Sequence, residues 1–215
     1  MAPELDHVFV CVPAPRAHVD ALVAAGFCEG SGNVHPGQGT ANARFFFANA
    51  YFEVLWAVDD DELAAPAVRP TGLRERMAWE ETGACPFGVA FRTPLSWPAV
   101  WDYEAPFFPA GLTLPMWNRP GVTTDPSLFH IEGQRPDVAR REPLTHRGRR
   151  YEIAAVEVDC VEPPALPDQA DLGCVRLLAA KRHRMRVVLR GAAADDGEGA
   201  GAVVDVPGLP VEFVI

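Results

Sequence analysis

Residues 5 to 58 change their hydrophobic period twice in quick succession, and this limits the chain more than any other feature of it. Leu5 to Val12 (LDHVFVCV) is β-branched and apolar enough for a strand, and Pro13 with Pro15 closes it. From Arg16 to Ala25 the residues Val19, Leu22 and Val23 recur at helical spacing, and Gly26 supplies the stop. The turn-rich run Glu29 to Gly39 has room for a short strand and a long loop. Residues 40 to 48 and 51 to 58 then read as two strands joined by Asn49-Ala50, a two-residue hairpin connection. The order is strand, helix, strand, strand, strand.

Asp59-Asp60-Asp61-Glu62 ends this module, because four adjacent acids repel one another and belong in water. Residues 1 to 62 therefore form a first module, and 63 to 84 a linker holding a short helix over Gly72 to Glu81. Residues 85 to 215 form a second, divergent module with a C-terminal strand-helix-strand-strand extension. In that part strands are expected at 86–92, 112–116, 127–132, 151–161, 184–189, 202–206 and 211–215. A weak helix is expected at 169–178, and a glycine-rich turn at 195–201. Twenty-one prolines and eighteen glycines suit such short strands and tight turns and argue against a long helical bundle.

A formal charge of −10 repels phosphate polyanions, so neither nucleic acid nor an anionic membrane is an expected partner. The basic residues concentrated between Arg140 and Arg190 read as a solvated face. Five cysteines, Cys11, Cys28, Cys85, Cys160 and Cys174, are scattered and free of any C-x-x-C pair, which argues against a disulfide framework and fits a reducing compartment. With neither a signal-like N-terminus nor a membrane-length apolar run, a cytoplasmic location is the expectation.

Alternation across a strand puts Leu5, His7, Phe9 and Cys11 on one face of the first strand and Asp6, Val8, Val10 and Val12 on the other. In residues 51 to 58 the same split gives Tyr51, Glu53 and Leu55 against Phe52, Val54 and Trp56. An unpaired carboxylate in an apolar strand costs several kcal/mol to bury, so Glu53 is neutral, paired with a cation or bound to a metal. His7 is the natural partner. An imidazole nitrogen and a carboxylate oxygen suit Zn, Fe, Mn or Ni as a divalent ion, whereas the alternative is a hydrogen-bonded structural pair.

The runs Leu5-Asp6-His7-Val8, His35-Pro36-Gly37-Gln38-Gly39-Thr40-Ala41-Asn42 and Tyr51-Phe52-Glu53-Val54-Leu55, with a helix ending near Gly26-Phe27, resemble the glyoxalase-like branch of the vicinal-oxygen-chelate superfamily. The similarity continues through Gly72 to Arg76 and Ala84 to Gly88 and fades after about Glu132. The resemblance implies an α+β fold in which paired βαβββ modules form a cupped mixed sheet around a central pocket. It also implies metal ligands at His7 on the first strand and Glu53 on the fourth, a small-molecule substrate and a homodimer. Pro86 to Arg92 contains no His, Gln or Glu for a third ligand, which leaves His130, aligned here with Glu53, and Glu212 as candidates.

The loop from His35 leads to Gln38, Thr40, Asn42 and Arg44, a set expected to bind substrate, with Arg44 fixing a carboxylate or an enolate-like oxygen. Gly30-Ser31-Gly32 and Gly37-Gln38-Gly39 lack the third glycine and the following helix of a dinucleotide fingerprint, and there is no G-x-S-x-G elbow. Two functions fit: metal-assisted lyase, isomerase or dioxygenase chemistry on an oxygenated substrate, with Glu53 and His7 catalytic, or a metal-free small-molecule binding or resistance protein.

Overall fold

A computed structural model describes residues 2–131, 141–191 and 201–215. Its first half follows the expected order. It contains β1 (Leu5–Cys11), α1 (Pro15–Ala24), β2 (Val34–His35), β3 (Thr40–Phe46) and β4 (Tyr51–Ala57). Pro15 stands in the first turn of α1, where a missing N–H costs nothing, and Gly26 takes a positive φ of 92° just beyond its end.

The acidic run forms α2 (Asp60–Leu63), capped by the Asp59 carboxylate, which accepts from the N–H groups of Asp61 and Glu62. The expected single helix over 72–81 is two short ones, α3 (Leu73–Met77) and α4 (Trp79–Thr82), broken at Ala78. Then come β5 (Phe87–Phe91), β6 (Trp101–Tyr103), β7 (Leu114–Met116) and β8 (Ser127–His130).

These strands make one eight-stranded mixed sheet in the order β2-β3-β4-β1-β5-β8-β7-β6. Its two halves mirror each other about the antiparallel β1/β5 pair, with β1 parallel to β4 and β5 parallel to β8. The mixed sheets curl into the cupped, helix-poor architecture expected of the superfamily. Among the described residues no helix lies between β5 and β6, so the second half is a βαβββ unit without its helix.

The C-terminal region takes over the covering role that the missing helix would have had. It contains β9 (Thr145–His146), β10 (Arg149–Cys160), β11 (Val175–Ala179), β12 (Arg184–Gly191), β13 (Val203–Asp205) and β14 (Val211–Val214). They form a second sheet, β11-β10-β12-β14-β13, with β9 paired to β10. Its inner residues Ile153, Val156, Val158, Met185, Val187 and Phe213 share one core with Val8, Val10, Phe52, Val54, Val89 and Leu128 of the first sheet and with Val19 and Leu22 of α1. Phe213 sits at the junction, its ring 4.5 Å from Phe27 and 5.2 Å from Phe52, centroid to centroid.

Three expectations need correction. The helix expected at 169–178 is absent: Val175–Ala179 is β11, parallel to β10, because Val175 gains more from that core than the weak helical pattern gains in water. The Asn49-Ala50 connection is wider than two residues. It closes from Phe47 N–H to the Ala50 carbonyl, and the Asn49 amide leaves the turn to bond both the N–H and the carbonyl of Ile153 on β10. Leu5 does not share the face of His7. A bulge in the β1/β5 pairing between these residues turns Leu5 into the core against the second sheet.

Glu132, Arg140 and the turn at 195–201, but for Gly201, lie outside the described residues. No helix among the described residues is long and apolar enough to cross a membrane.

Candidate functional site

The face of the eight-stranded sheet turned away from the second sheet lines a cavity of about 350 Å³. β1 contributes His7 and Phe9, β4 contributes Tyr51, Glu53 and Leu55, and the β2/β3 region contributes His35, Gln38 and Asn42. The opposite wall is Leu114, Met116, Phe129 and Ile131, with Phe107 and Phe108 from the loop between β6 and β7. The opposite wall is therefore largely hydrocarbon, and no arginine or lysine among the described residues lines the cavity.

The bulge that displaced Leu5 also brings Asp6 round to its neighbour. His7 Nδ1 donates to Asp6 Oδ1 at 2.7 Å, and Asp6 Oδ2 forms an ion pair with Arg92, 2.9 Å from its Nε. Burial pushes the Asp6 carboxyl up, but His7 and Arg92 outweigh it and hold the group below the usual carboxylate range. An anionic Asp6 accepting from Nδ1 fixes the tautomer of His7, so its Nε2 presents a lone pair to the cavity. That nitrogen lies 3.7 Å from Glu53 Oε2. The His7 ring is further held by stacking on Tyr51 at 4.5 Å and by the edge of Phe129 at 5.6 Å.

Glu53 is 5% exposed, and no Lys or Arg among the described residues pairs with it. Arg44 stands directly opposite it in the β3/β4 register, yet its guanidinium turns away to the Ser31 carbonyl at 2.7 Å and the Ser31 hydroxyl at 2.6 Å. There it also lies over the Phe46 and Tyr51 rings. Arg44, expected to bind a substrate oxygen, is not among the residues that line the cavity, and its guanidinium packs behind His7 on the aromatic stack. Burial, with the Glu53 and Asp6 carboxylates, holds the Tyr51 phenol well above its ordinary range.

A second polar chain crosses the mouth of the cavity. Tyr103 O–H donates to Gln38 Oε1 at 2.9 Å, Gln38 Nε2 donates to Thr40 Oγ1 at 2.8 Å, and Thr40 Oγ1 is 2.9 Å from His35 Nδ1. Thr40 itself does not line the cavity and acts by orienting His35 and Gln38. Burial lowers His35 below the ordinary histidine range, so it is a neutral ring near pH 7, with Phe107 packed on it at 4.7 Å. Asn42 is tied to the Asn33 N–H through its Oδ1 at 2.6 Å, leaving its amide nitrogen to the cavity side. Tyr103 was missed at the sequence level because its short strand sits in a Pro- and Trp-rich stretch that carries no clear period.

His130 and Glu212 are not brought to His7 and Glu53. Aligning 128–131 with 51–54 was one residue out of register, and such a slip exchanges the faces of a strand. Ser127, Phe129 and Ile131 look into the cavity, while His130 points the other way and donates Nδ1–H to the Phe91 carbonyl at 3.1 Å. Glu212 belongs to β14 in the second sheet, where it is locked between Arg184 and Arg186.

The donor set can be tested against a metal centre directly. Opposite His7 and Phe9, β5 offers only Ala90 and Gly88, and a Cβ on Gly88 would stand 2.0 Å from the Phe9 ring. β8 offers Phe129. Among the described residues no group of three or more His, Cys, Asp or Glu side chains is arranged to hold a metal ion. The described residues supply two ligands, His7 and Glu53, where a stable site needs three or four, so among them there is no fit to a superfamily-type metal centre.

Residues 5–106 match the family model of a glyoxalase-like domain. No curated protein sequence matches the chain. Among solved structures, a hypothetical protein from Staphylococcus aureus superposes with a TM-score of 0.58 at 12% identity, covering 99% of this chain and 99% of that one. At that identity the likeness shows a common fold, and it extends to the C-terminal sheet.

Proposed function

Since residues 5–106 are a glyoxalase-like domain of the vicinal-oxygen-chelate superfamily, we propose that the cavity binds a small, uncharged and largely apolar molecule and moves a proton on it. In this reading Glu53 is the base, and His7, with its Nε2 3.7 Å away, and His35 complete the polar wall that orients the substrate. The reaction class is isomerisation or lyase chemistry next to a carbonyl.

The observation that carries the reading is the Arg92-Asp6-His7 relay, whose last nitrogen faces an otherwise unpaired buried carboxylate. A structural pair would need no relay and would place Glu53 on a cation. Here the carboxylate is held without one, in a low-dielectric wall, and is free to take a proton from a bound carbon acid. Aromatic and aliphatic walls provide affinity, and Gln38, Asn42 and His35 provide orientation. With no lysine or arginine among the described residues lining the cavity, and Glu53 inside it, an anionic substrate is disfavoured.

The test is deuterium wash-in, followed by mass spectrometry, on a panel of neutral aryl ketones and α-hydroxyketones incubated with chelator-treated protein. Exchange at the carbon beside the carbonyl, lost in Glu53→Gln, is the expected result. Exchange equal in wild type and variant would remove Glu53 as base. Saturable binding without exchange by any panel member would favour the binding-protein reading, which the hydrocarbon walls also suit.

A further inference from the structure

The two histidines of the cavity present opposite hydrogen-bonding edges to it. Asp6 accepts from His7 Nδ1–H, so His7 offers the cavity a lone pair. His35 ends the other polar chain, and its tautomer follows from where each proton of that chain can go.

His35 and Thr40 stand opposite each other in the β2/β3 register, with Gln38 in the turn between them. Gly37 and Gly39 give that turn positive φ values of 81° and 75°, and a Cβ on Gly39 would stand 2.3 Å from the Asp59 carbonyl oxygen. One oxygen of the Glu62 carboxylate, on α2, accepts from both glycine N–H groups, at 2.7 Å and 2.9 Å. The acidic run after β4 thus pins the loop that carries His35.

The buried Tyr103 phenol heads the chain. Burial holds it above its ordinary range, so it keeps its proton and donates it to Gln38 Oε1 at 2.9 Å. Turning the Gln38 amide over would leave that proton without an acceptor among the described residues. With the amide so fixed, Gln38 Nε2 donates to Thr40 Oγ1 at 2.8 Å. Thr40 is fully buried, and among the described residues the acceptor left for its own proton is His35 Nδ1, at 2.9 Å. Burial keeps the His35 ring neutral near pH 7, so its single proton sits on Nε2. Thr40 does not line the cavity and His35 does, so the ring edge away from Thr40 is the one turned inward. Phe107 packs on the ring at 4.7 Å, and no group among the described residues bonds Nε2.

We propose that His35 is the electrophile of the site: its Nε2–H donates to the substrate's carbonyl oxygen and stabilises the negative charge that forms there when Glu53 removes the neighbouring proton. This rests on the reading of Glu53 as base. Tyr103, Gln38 and Thr40 are positioning residues that set the His35 tautomer, and Glu62 positions the loop. The step needs no further reactant. The C–H bond breaks and its proton goes to the Glu53 carboxylate, the freed pair forms a C=C bond, and the carbonyl π pair moves onto oxygen. His35 keeps its proton throughout, because a preorganised neutral imidazole stabilises an oxyanion as a hydrogen-bond donor. Return of the proton from Glu53 to carbon restores the ketone.

The test has two arms, both on the folded full chain. In isotope-labelled, ligand-free protein, NMR correlations between ring protons and ring nitrogens report which nitrogen of His35 is protonated. Protonation on Nε2, with the signals identified by their loss in His35→Gln and shifted toward a tautomer mixture in Thr40→Val, is the expected result. Protonation on Nδ1 in the wild-type chain overturns the proposal, whatever the variants do. The second arm records the infrared carbonyl stretch of carbon-labelled ketones from the same panel when bound. The stretch should fall in frequency in wild type and in Glu53→Gln and return toward the free value in His35→Leu. Wash-in should drop about 100-fold in His35→Leu and recover at least about tenfold in His35→Gln, whose amide keeps an N–H near the Nε2 position. A bound ketone with an unshifted stretch overturns the role of His35 even where Glu53-dependent exchange persists. A shifted stretch with exchange indifferent to Glu53→Gln supports His35 as donor and removes Glu53 as base, so the two readings fail separately.

Discussion

The two halves of the eight-stranded sheet repeat each other in strand order, β1-β4-β3-β2 against β5-β8-β7-β6, yet turn opposite chemistries toward the cavity they share. The first half presents His7, Glu53, Asn42 and the His35-Gln38 pair. The second presents Met116, Phe129, Ile131 and Leu114, with Tyr103 and Ser127 as its polar exceptions. Where β1 has His7, its partner strand β5 has Ala90. Backbone repetition shapes the cup, and the side chains that use it have diverged freely, because hydrogen-bond register constrains only which residues face inward. One half became the reactive wall and the other a greasy counter-wall.

The first way to strain this comparison is to damage the core that holds both halves against the second sheet. Phe52→Ala removes a fully buried ring from the back of β4, and unfolding in urea should show a loss of about 3–5 kcal/mol. A loss below about 1 kcal/mol would mean that the second sheet is not the support described.

Next in size is the reactive wall itself. Glu53→Gln keeps shape and burial but removes the base, and wash-in should fall about 100-fold, or roughly 2.7 kcal/mol of barrier. Phe129→Leu, on the counter-wall, should change the apparent affinity and leave the limiting rate within about threefold.

Asp6→Asn should act through His7, lowering the rate about tenfold by loosening its tautomer and ring orientation. Its pH-rate profile should shift with it, which a merely structural asparagine would not cause.

A smaller effect concerns pH. Burial depresses both His35 and His146, and His146 is held between the Cys28 N–H and the Phe46 carbonyl. Folded-state values below the unfolded one near about 6.5 mean that the unfolded chain takes the proton first. The stability they contribute is full above that pH and is lost as pH falls through it. His183, raised by its Cys85 neighbour, works in the opposite sense and offsets part of the loss. The melting temperature should drop between pH 7.5 and 5.5, and the drop should be shallower in His146→Gln. Least of all, Arg44→Met should cost under about 1 kcal/mol in thermal unfolding, since its bonds to Ser31 lie at the surface.

Alternation in two strands was enough to place His7 and Glu53 together, because both strands are long, flanked by turns and buried on both faces. The same reasoning failed for Leu5, where a bulge inserted a residue that no local pattern announces. It failed for His130 by a single step of register, since a four-residue strand between irregular loops carries too little periodicity to fix its face. Asp6 read as an awkward polar residue on an oily face, and only the bulge shows why it is there. Arg44 lies on the expected strand but its guanidinium bonds Ser31, because a side chain this long chooses its partner from three-dimensional neighbours that the sequence does not show.

The central claim is that, among the described residues, only the first half of the sheet presents metal-ligating His or Glu side chains at the centre of the cavity, and that these do not make a metal centre. Calorimetric titration of Zn²⁺ and Mn²⁺ into chelator-treated, desalted protein tests it most directly. The account predicts no saturable 1:1 site with a Kd below about 1 μM. A tight stoichiometric site abolished by both His7→Ala and Glu53→Ala, in variants that remain folded, would contradict it.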